Sequence, residues 1–219
     1  MSGDARRNDY KKTLGDFLAL GATRNYFGYP QEGWPPPTPA RRYIGQFLDK
    51  YTHAVHGSVV EFYPAVYRSL FPAATSYDVW NVVSADGATV IADLQSADAI
   101  DDNSYDAIIC THVLSAIRNV WKATEELYRI LKPGGLLLVT VPCLLQAYAP
   151  DPADYWRFTT DSLGAVLERF TMIEMATYGN AAVCAGSFYY LMDYDFPERV
   201  VDDHDQGCPS IVCAAVTKE

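Results

Sequence analysis

Hydrophobic positions recur along this chain in two rhythms: short unbroken runs, and longer stripes at three- and four-residue steps. The stripes predict helices. Over residues 41–53, Tyr43, Phe47, Leu48 and Tyr51 share one face, and Gly57 ends the pattern. Over residues 120–131, Val120, Ala123, Thr124, Leu127 and Leu131 form a second stripe, stopped by Lys132-Pro133-Gly134-Gly135. A third helix is expected over 160–170, with Asp161 in its first turn. The short runs predict strands at 58–62, 74–79, 88–92, 105–110, 136–141, 171–177 and 210–216. Strands that alternate with helices imply crossover connections. The expected fold is therefore α/β, a Rossmann-like, doubly wound, mostly parallel sheet.

Residues 1–35 read as an arm ahead of one domain, 36–219. Near its end Tyr26, Tyr29 and Trp34 precede Pro35-Pro36-Pro37, which favours an extended segment. Such a segment serves as a spacer or as an aromatic lid over a pocket.

Composition narrows the function. The chain has 219 residues, enough for one sizeable core, and a formal net charge of -10. An acidic chain lacks the electrostatic footprint for nucleic-acid phosphates, so a small neutral or cationic substrate is expected. No apolar run reaches the roughly 20 residues of a membrane span, and residues 1–12 lack the apolar core of a signal peptide. A cytoplasmic protein is expected. Five cysteines lie scattered without C-x-x-C spacing, and no His/Asp/Glu cluster has ligand spacing, so no metal is expected.

In an open parallel sheet, ligands bind beyond the carboxyl ends of the strands. Residues expected there are Glu61, Tyr63, Asp78, Asp93, Leu94, Thr111 and His112. A carboxylate near the second strand end can accept from ribose hydroxyls, and Asp78 follows Glu61 by 17 residues. Asp93 can accept from an adenine amino group. No G-x-G-x-x-G and no G-x-x-x-x-G-K-S/T occurs, which weighs against pyrophosphate cofactors and phosphate-loop enzymes. A nucleoside cofactor without pyrophosphate fits better, and S-adenosylmethionine (SAM) is the common one.

The stretch LYRILKPGGLLLVTVP, with YDAIIC before it, resembles the second half of class I SAM-dependent methyltransferases. RRYIGQFL, GSVVEF, VIADL, DYWRFT and YGN more narrowly resemble bacterial methyltransferase-like proteins often encoded among glycosyltransferase genes. The resemblance covers about residues 36–218. It implies SAM as cofactor, Arg41 and Tyr43 closing over its carboxylate, and a small-molecule acceptor, with a sugar hydroxyl the first choice. It departs at the first loop. Where the family places glycine, this chain reads Glu61-Phe62-Tyr63-Pro64-Ala65, and Tyr63 and Pro64 are expected to crowd the methionine end. Two readings follow: an active O-methyltransferase, or a methyltransferase fold without methyl transfer, as a non-catalytic partner subunit or a repurposed pocket; the expected protein partner is a second copy of the chain (a homo-oligomer) or a partner subunit.

Methyl transfer to oxygen needs an aligned acceptor and usually a base. His112 and Asp154 are the candidates. His112 follows the fourth strand and titrates near neutrality when unperturbed. Asp154 is either a base or the ion-pair partner of Arg157, and Tyr155 and Trp156 are either a stacking surface or core.

Overall fold

The computed structural model describes residues 11–12, 15–16, 37–147 and 153–219. The proposed arm lies outside them, apart from four residues, and so do Tyr26, Tyr29 and Trp34.

Helix α1 spans Pro39–Asp49. Thr38 caps it, its Oγ1 accepting from the Arg41 N–H at 3.3 Å, and Pro39 occupies the first turn, where its missing N–H costs nothing. The sequence pattern ran four residues too far, because residues after 49 coil into turns. Strands follow at β1 (Gly57–Phe62), β2 (Ala74–Asn81), β3 (Val90–Ile91) and β4 (Tyr105–Thr111). Helix α2 (Val120–Ile130) runs directly into β5 (Leu131–Pro142). Helix α3 (Thr160–Val166), β6 (Thr171–Tyr178), α4 (Ala181–Phe188), α5 (Glu198–Val201) and β7 (Ile211–Thr217) complete the chain.

The seven strands form one sheet in the order β3-β2-β1-β4-β5-β7-β6. Neighbours are parallel except β7, which runs antiparallel to both β5 and β6. The order reverses between β1 and β4, which opens a crevice at their carboxyl ends.

Each face of the sheet has its own core. One packs α2 and α3 through Leu127, Ile130, Leu163 and Val166 against Val60, Ile108, Leu137 and Val139. The other packs α1 through Tyr43, Ile44, Phe47 and Leu48 against Val59, Ile109, Leu138 and Cys213. Alternate residues of each strand serve opposite faces, and both are apolar, as the buried parallel strands require.

Two glycines are fixed by geometry. Gly57 opens β1 at φ +71°, and a Cβ there would fall 2.3 Å from Asp106 Oδ2. That carboxylate accepts from the Ser58 N–H and from Lys132 Nζ, both at 2.8 Å, and so ties β1 to β4 and β5. Gly179 ends β6 at φ +96°, with Ser210 Oγ 2.4 Å from where its Cβ would be.

Candidate active site

The loops after β1, β2, β3 and β4 all emerge at one edge because those strands are parallel. The first of them turns tightly. Tyr63 N–H donates to Trp80 O at 2.8 Å, and Ala65 takes φ +54°, the left-handed region that glycine adopts without steric cost. The chain folds back so that Tyr67 N–H donates to Glu61 Oε1 at 3.0 Å. Tyr77 Oη donates to the other carboxylate oxygen at 2.5 Å. Glu61 is 1% exposed, and burial raises its pKa despite these bonds. Its carboxylate holds the loop and is closed to a cofactor, contrary to the expected role. The ring of Tyr63 is 45% exposed on the rim.

At the second strand the sequence reading was two residues short. β2 runs through Trp80 to Asn81, because Trp80 stacks on Phe62 at 5.1 Å and donates from Nε1 to Ala92 O at 2.7 Å. Asp78 pairs in register with Val60, well inside the sheet. Its carboxylate accepts from Thr89 Oγ1 at 2.8 Å and Tyr105 Oη at 3.1 Å. Asp78 is therefore a cross-strand tie, and Asn81 holds the edge position the carboxylate was expected to hold. Asn81 Oδ1 accepts from the Val82 N–H at 2.9 Å.

Asp93 does lie at the edge, just after β3. Its Oδ1 accepts from the backbone N–H of Gln95 at 2.8 Å. Leu94 beside it is buried at 3% exposure and joins the core. Thr111 ends β4, paired with Thr140.

His112 follows at φ +56°, a second non-glycine residue in the left-handed region, and its N–H donates to Thr140 O at 2.7 Å. Ala65 and His112 thus flank the crevice in sparsely populated backbone states, which cluster at functional sites. His112 lines a small cavity of about 40 Å³ together with Thr38, Ala40, Arg41 and Ile44 from the start of α1, Leu145 and Gln146 after β5, and Ser187 and Leu191 from the α4 region. The residue is partly exposed, but its Nε2 is shut away from water. Desolvation, then the cations of Arg41 and Arg157, push its pKa down to about 3, against a smaller opposing pull from Asp154. It does not titrate near neutrality, as the sequence reading expected; it stays neutral.

Asp154 is 6% exposed in its side chain and forms a two-point ion pair with Arg157, at 2.6 Å and 2.7 Å. Arg157 also donates to Leu145 O at 3.2 Å and Gln146 O at 2.7 Å, so the pair pins the loop after β5. Of the two sequence alternatives for Asp154, the structure shows the ion pair. Trp156 is wedged by its Nε1 bond to Ile117 O and its edge-on contact with Trp121, whereas Tyr155 is 49% exposed. Tyr43 is fully buried, its hydroxyl donating to Val201 O at 2.8 Å. It is a core residue and cannot close over a cofactor. Arg41, two residues earlier, does reach the cavity, with Nη1 3.2 Å from Tyr67 Oη.

This sheet order, with an antiparallel β7 between β5 and β6, can be compared with known proteins. Residues 59–139 match the family model described as a methyltransferase domain. That stretch is similar to a methyltransferase domain, and it covers the strands from β1 to most of β5. The cyclase SpnF superposes with a TM-score of 0.56 over 94% of this chain and 92% of its own, at 16% identity. The N-methyltransferase NodS from Bradyrhizobium japonicum, solved with S-adenosyl-L-homocysteine, gives 0.56 over 95% and 97%, at 14% identity. At such identities the likeness shows the fold alone. A ubiquinone/menaquinone biosynthesis C-methyltransferase from Hydrogenovibrio crunogenus is 43% identical over 53 residues, 22% of this chain and 21% of that protein. A thiol S-methyltransferase from Rattus norvegicus is 38% identical over 48 residues, 22% and 20%. The chain spans about a fifth of the length of these relatives.

The structure brings Arg41 and His112 into one cavity and puts Asp93 and Tyr63 on the same edge. It withdraws Tyr43 and Glu61 into the body of the fold and ties half-exposed Asp78 to Thr89 and Tyr105. Asn81, Gln146 and Ser187 were missed. Asn81 carried a signal, since it follows an apolar strand, but an aspartate three residues earlier drew the assignment away. Gln146 and Ser187 carried none, because only the packing of the β5 loop and α4 brings them to His112.

Proposed function

We propose that this chain is a SAM-dependent methyltransferase acting on a hydroxyl of a small molecule, a sugar being the acceptor class the sequence resemblance suggests. The observation that carries the reading is the pairing of an edge carboxylate, Asp93, with a cation-lined cavity at Arg41 and His112 on the other side of the strand-order switch. The residues fit the two ends of SAM unequally. Asp93 and Asn81 offer acceptors for an adenosine, with Leu94 as apolar support. Arg41 offers a cation for a carboxylate. The first loop offers fewer close backbone contacts than a glycine loop, and Glu61 is committed to Tyr67 and Tyr77.

SAM, when bound, supplies a methyl group on a sulfonium leaving group. The chain's own residues align the acceptor and receive its proton. A hydroxyl becomes strongly acidic as its oxygen gives up electron density, so the neutral imidazole of His112 can take the proton despite its low basicity. Asp154 and Arg157 keep the loop carrying Gln146 in place.

Titration calorimetry tests this. SAM binds weakly, adenosine competes with it, and Asp93→Ala lowers the affinity roughly tenfold or more through loss of charge-assisted hydrogen bonds. His112→Gln leaves SAM binding intact and cuts turnover by about 100-fold. The sequestered Glu61 carboxylate favours a second reading, a methyltransferase fold without methyl transfer. Absence of binding by both SAM and adenosine in the presence of acceptor would select it.

A further inference from the structure

Three of the five cysteines converge on one corner of the fold. Cys143 is the first residue after β5, Cys184 lies in α4, and Cys208 lies in the loop before β7. Cys184 Sγ is 3.6 Å from Cys208 O, and its thiol is within hydrogen-bonding reach of the Cys208 side chain. Cys143 is carried to the same corner by backbone pairing: its N–H donates to Ser210 O at 2.8 Å, and that of Leu144 to Pro209 O at 3.3 Å. Cys184 is buried, while Cys143 and Cys208 are partly open to solvent. Among the described residues no group of three His, Cys, Asp or Glu side chains has an arrangement able to hold a metal ion, so the cluster is not a metal site.

The loop that carries Cys208 is already fastened to the start of α4. Asn180 Nδ2 donates to Asp203 O, Gly179 N–H to His204 Nδ1 at 3.3 Å, and Asp205 N–H to Gly179 O at 2.9 Å. The two thiols are therefore held together before any bond forms. We propose that Cys184 and Cys208 are a dithiol that closes to a disulfide by exchange with a low-molecular-mass disulfide, locking α4 to the loop before β7.

The exchange has two steps. The Cys208 thiolate attacks one sulfur of the small disulfide; that S–S bond breaks, one small thiolate leaves, and a mixed disulfide stands on Cys208. The Cys184 thiolate then attacks the Cys208 sulfur, the mixed bond breaks, and the second small thiolate leaves. The protein loses two electrons and two protons, and the small disulfide is reduced to two thiols. Burial pushes the Cys184 thiol up, so the second step is slow at neutral pH and speeds up by about tenfold for each unit that the pH is raised. Helix α4 also carries Ser187, so the lock acts on one wall of the His112 cavity. The proposal does not depend on what that cavity binds.

The test uses the full chain, reduced and then incubated with oxidised glutathione at pH 8, quenched by alkylation and mapped as peptides. The expected product links Cys184 to Cys208, raises Tm by several degrees and is reversed by dithiothreitol. Cys143→Ser keeps the link. Cys184→Ser leaves glutathione on Cys208 and abolishes the Tm rise. A Cys143–Cys208 link, glutathione persisting on Cys208 in the wild type, or no thiol consumed in the folded chain would overturn the proposal.

Discussion

His112 meets two cations, Arg41 and Arg157, in a space with little water, and so stays neutral in the fold down to about pH 3. The unfolded chain binds its proton near the ordinary value of 6.5. Between those values the unfolded state holds more protons, so stability is present above about pH 6.5 and is lost as pH falls toward 3. Urea titrations should show a loss of roughly 2 kcal/mol at pH 5 relative to pH 8, and His112→Gln should flatten that slope. Asn81 and Asp78 divide the other residue-scale question. If Asn81 is the ribose contact, Asn81→Asp tightens adenosine binding by roughly tenfold, because a carboxylate accepts from both hydroxyls. Asp78→Asn leaves adenosine affinity unchanged and costs about 1 kcal/mol through Tyr105 and Thr89. Calorimetry on the two variants separates them, and a loss of affinity in Asp78→Asn would return the role to Asp78.

At the scale of elements, α4 is the longer of two helices that sequence patterning did not reveal, the other being α5. The residues of α4 are small and apolar on all sides, so no stripe marks it. What starts it is Asn180, fully buried, whose Oδ1 accepts from Ala182 N–H at 2.9 Å and Val183 N–H at 3.1 Å while Nδ2 donates to Val200 O at 2.6 Å and to Asp203 O. One side chain caps α4 and fastens α5 and the following loop. Asn180→Ala should cost about 3 kcal/mol in chemical denaturation, since it strands two donors and two acceptors in a dry site. A cost below about 1 kcal/mol would show that water replaces them. The junction of α2 and β5 also differs from the pattern. Pro133 and Gly134 read as a stop followed by a turn, yet the strand begins at Leu131, because Gly134 at φ +75° donates its N–H to Lys218 O at 2.7 Å.

For the whole molecule, the matched methyltransferase region 59–139 is not self-sufficient. It presents Val59, Ile109 and Leu138 to a second core whose cover comes from Tyr43, Ile44, Phe47 and Leu48 on α1. A chain beginning at residue 57 should lose cooperative unfolding and near-ultraviolet circular dichroism. Phe47→Ala should cost about 3–5 kcal/mol by leaving a cavity in that core. A sharp, native-like transition in the truncated chain would mean that α1 only decorates the sheet. The amino-acid order by itself determined the alternation of strands and helices, and with it a mostly parallel sheet. Those follow from local periodicity and from the handedness of crossovers, which need no knowledge of distant partners. It also placed Asp93 and His112 just beyond strands, because an apolar run ends shortly before each. Only the tertiary structure decided that Glu61 and Tyr43 turn inward, that Asp154 is spent on Arg157, and that Asn81 rather than Asp78 reaches the edge. Each of those outcomes depends on a partner far along the chain or on where a strand stops pairing, and a side chain's exposure is set by what packs over it.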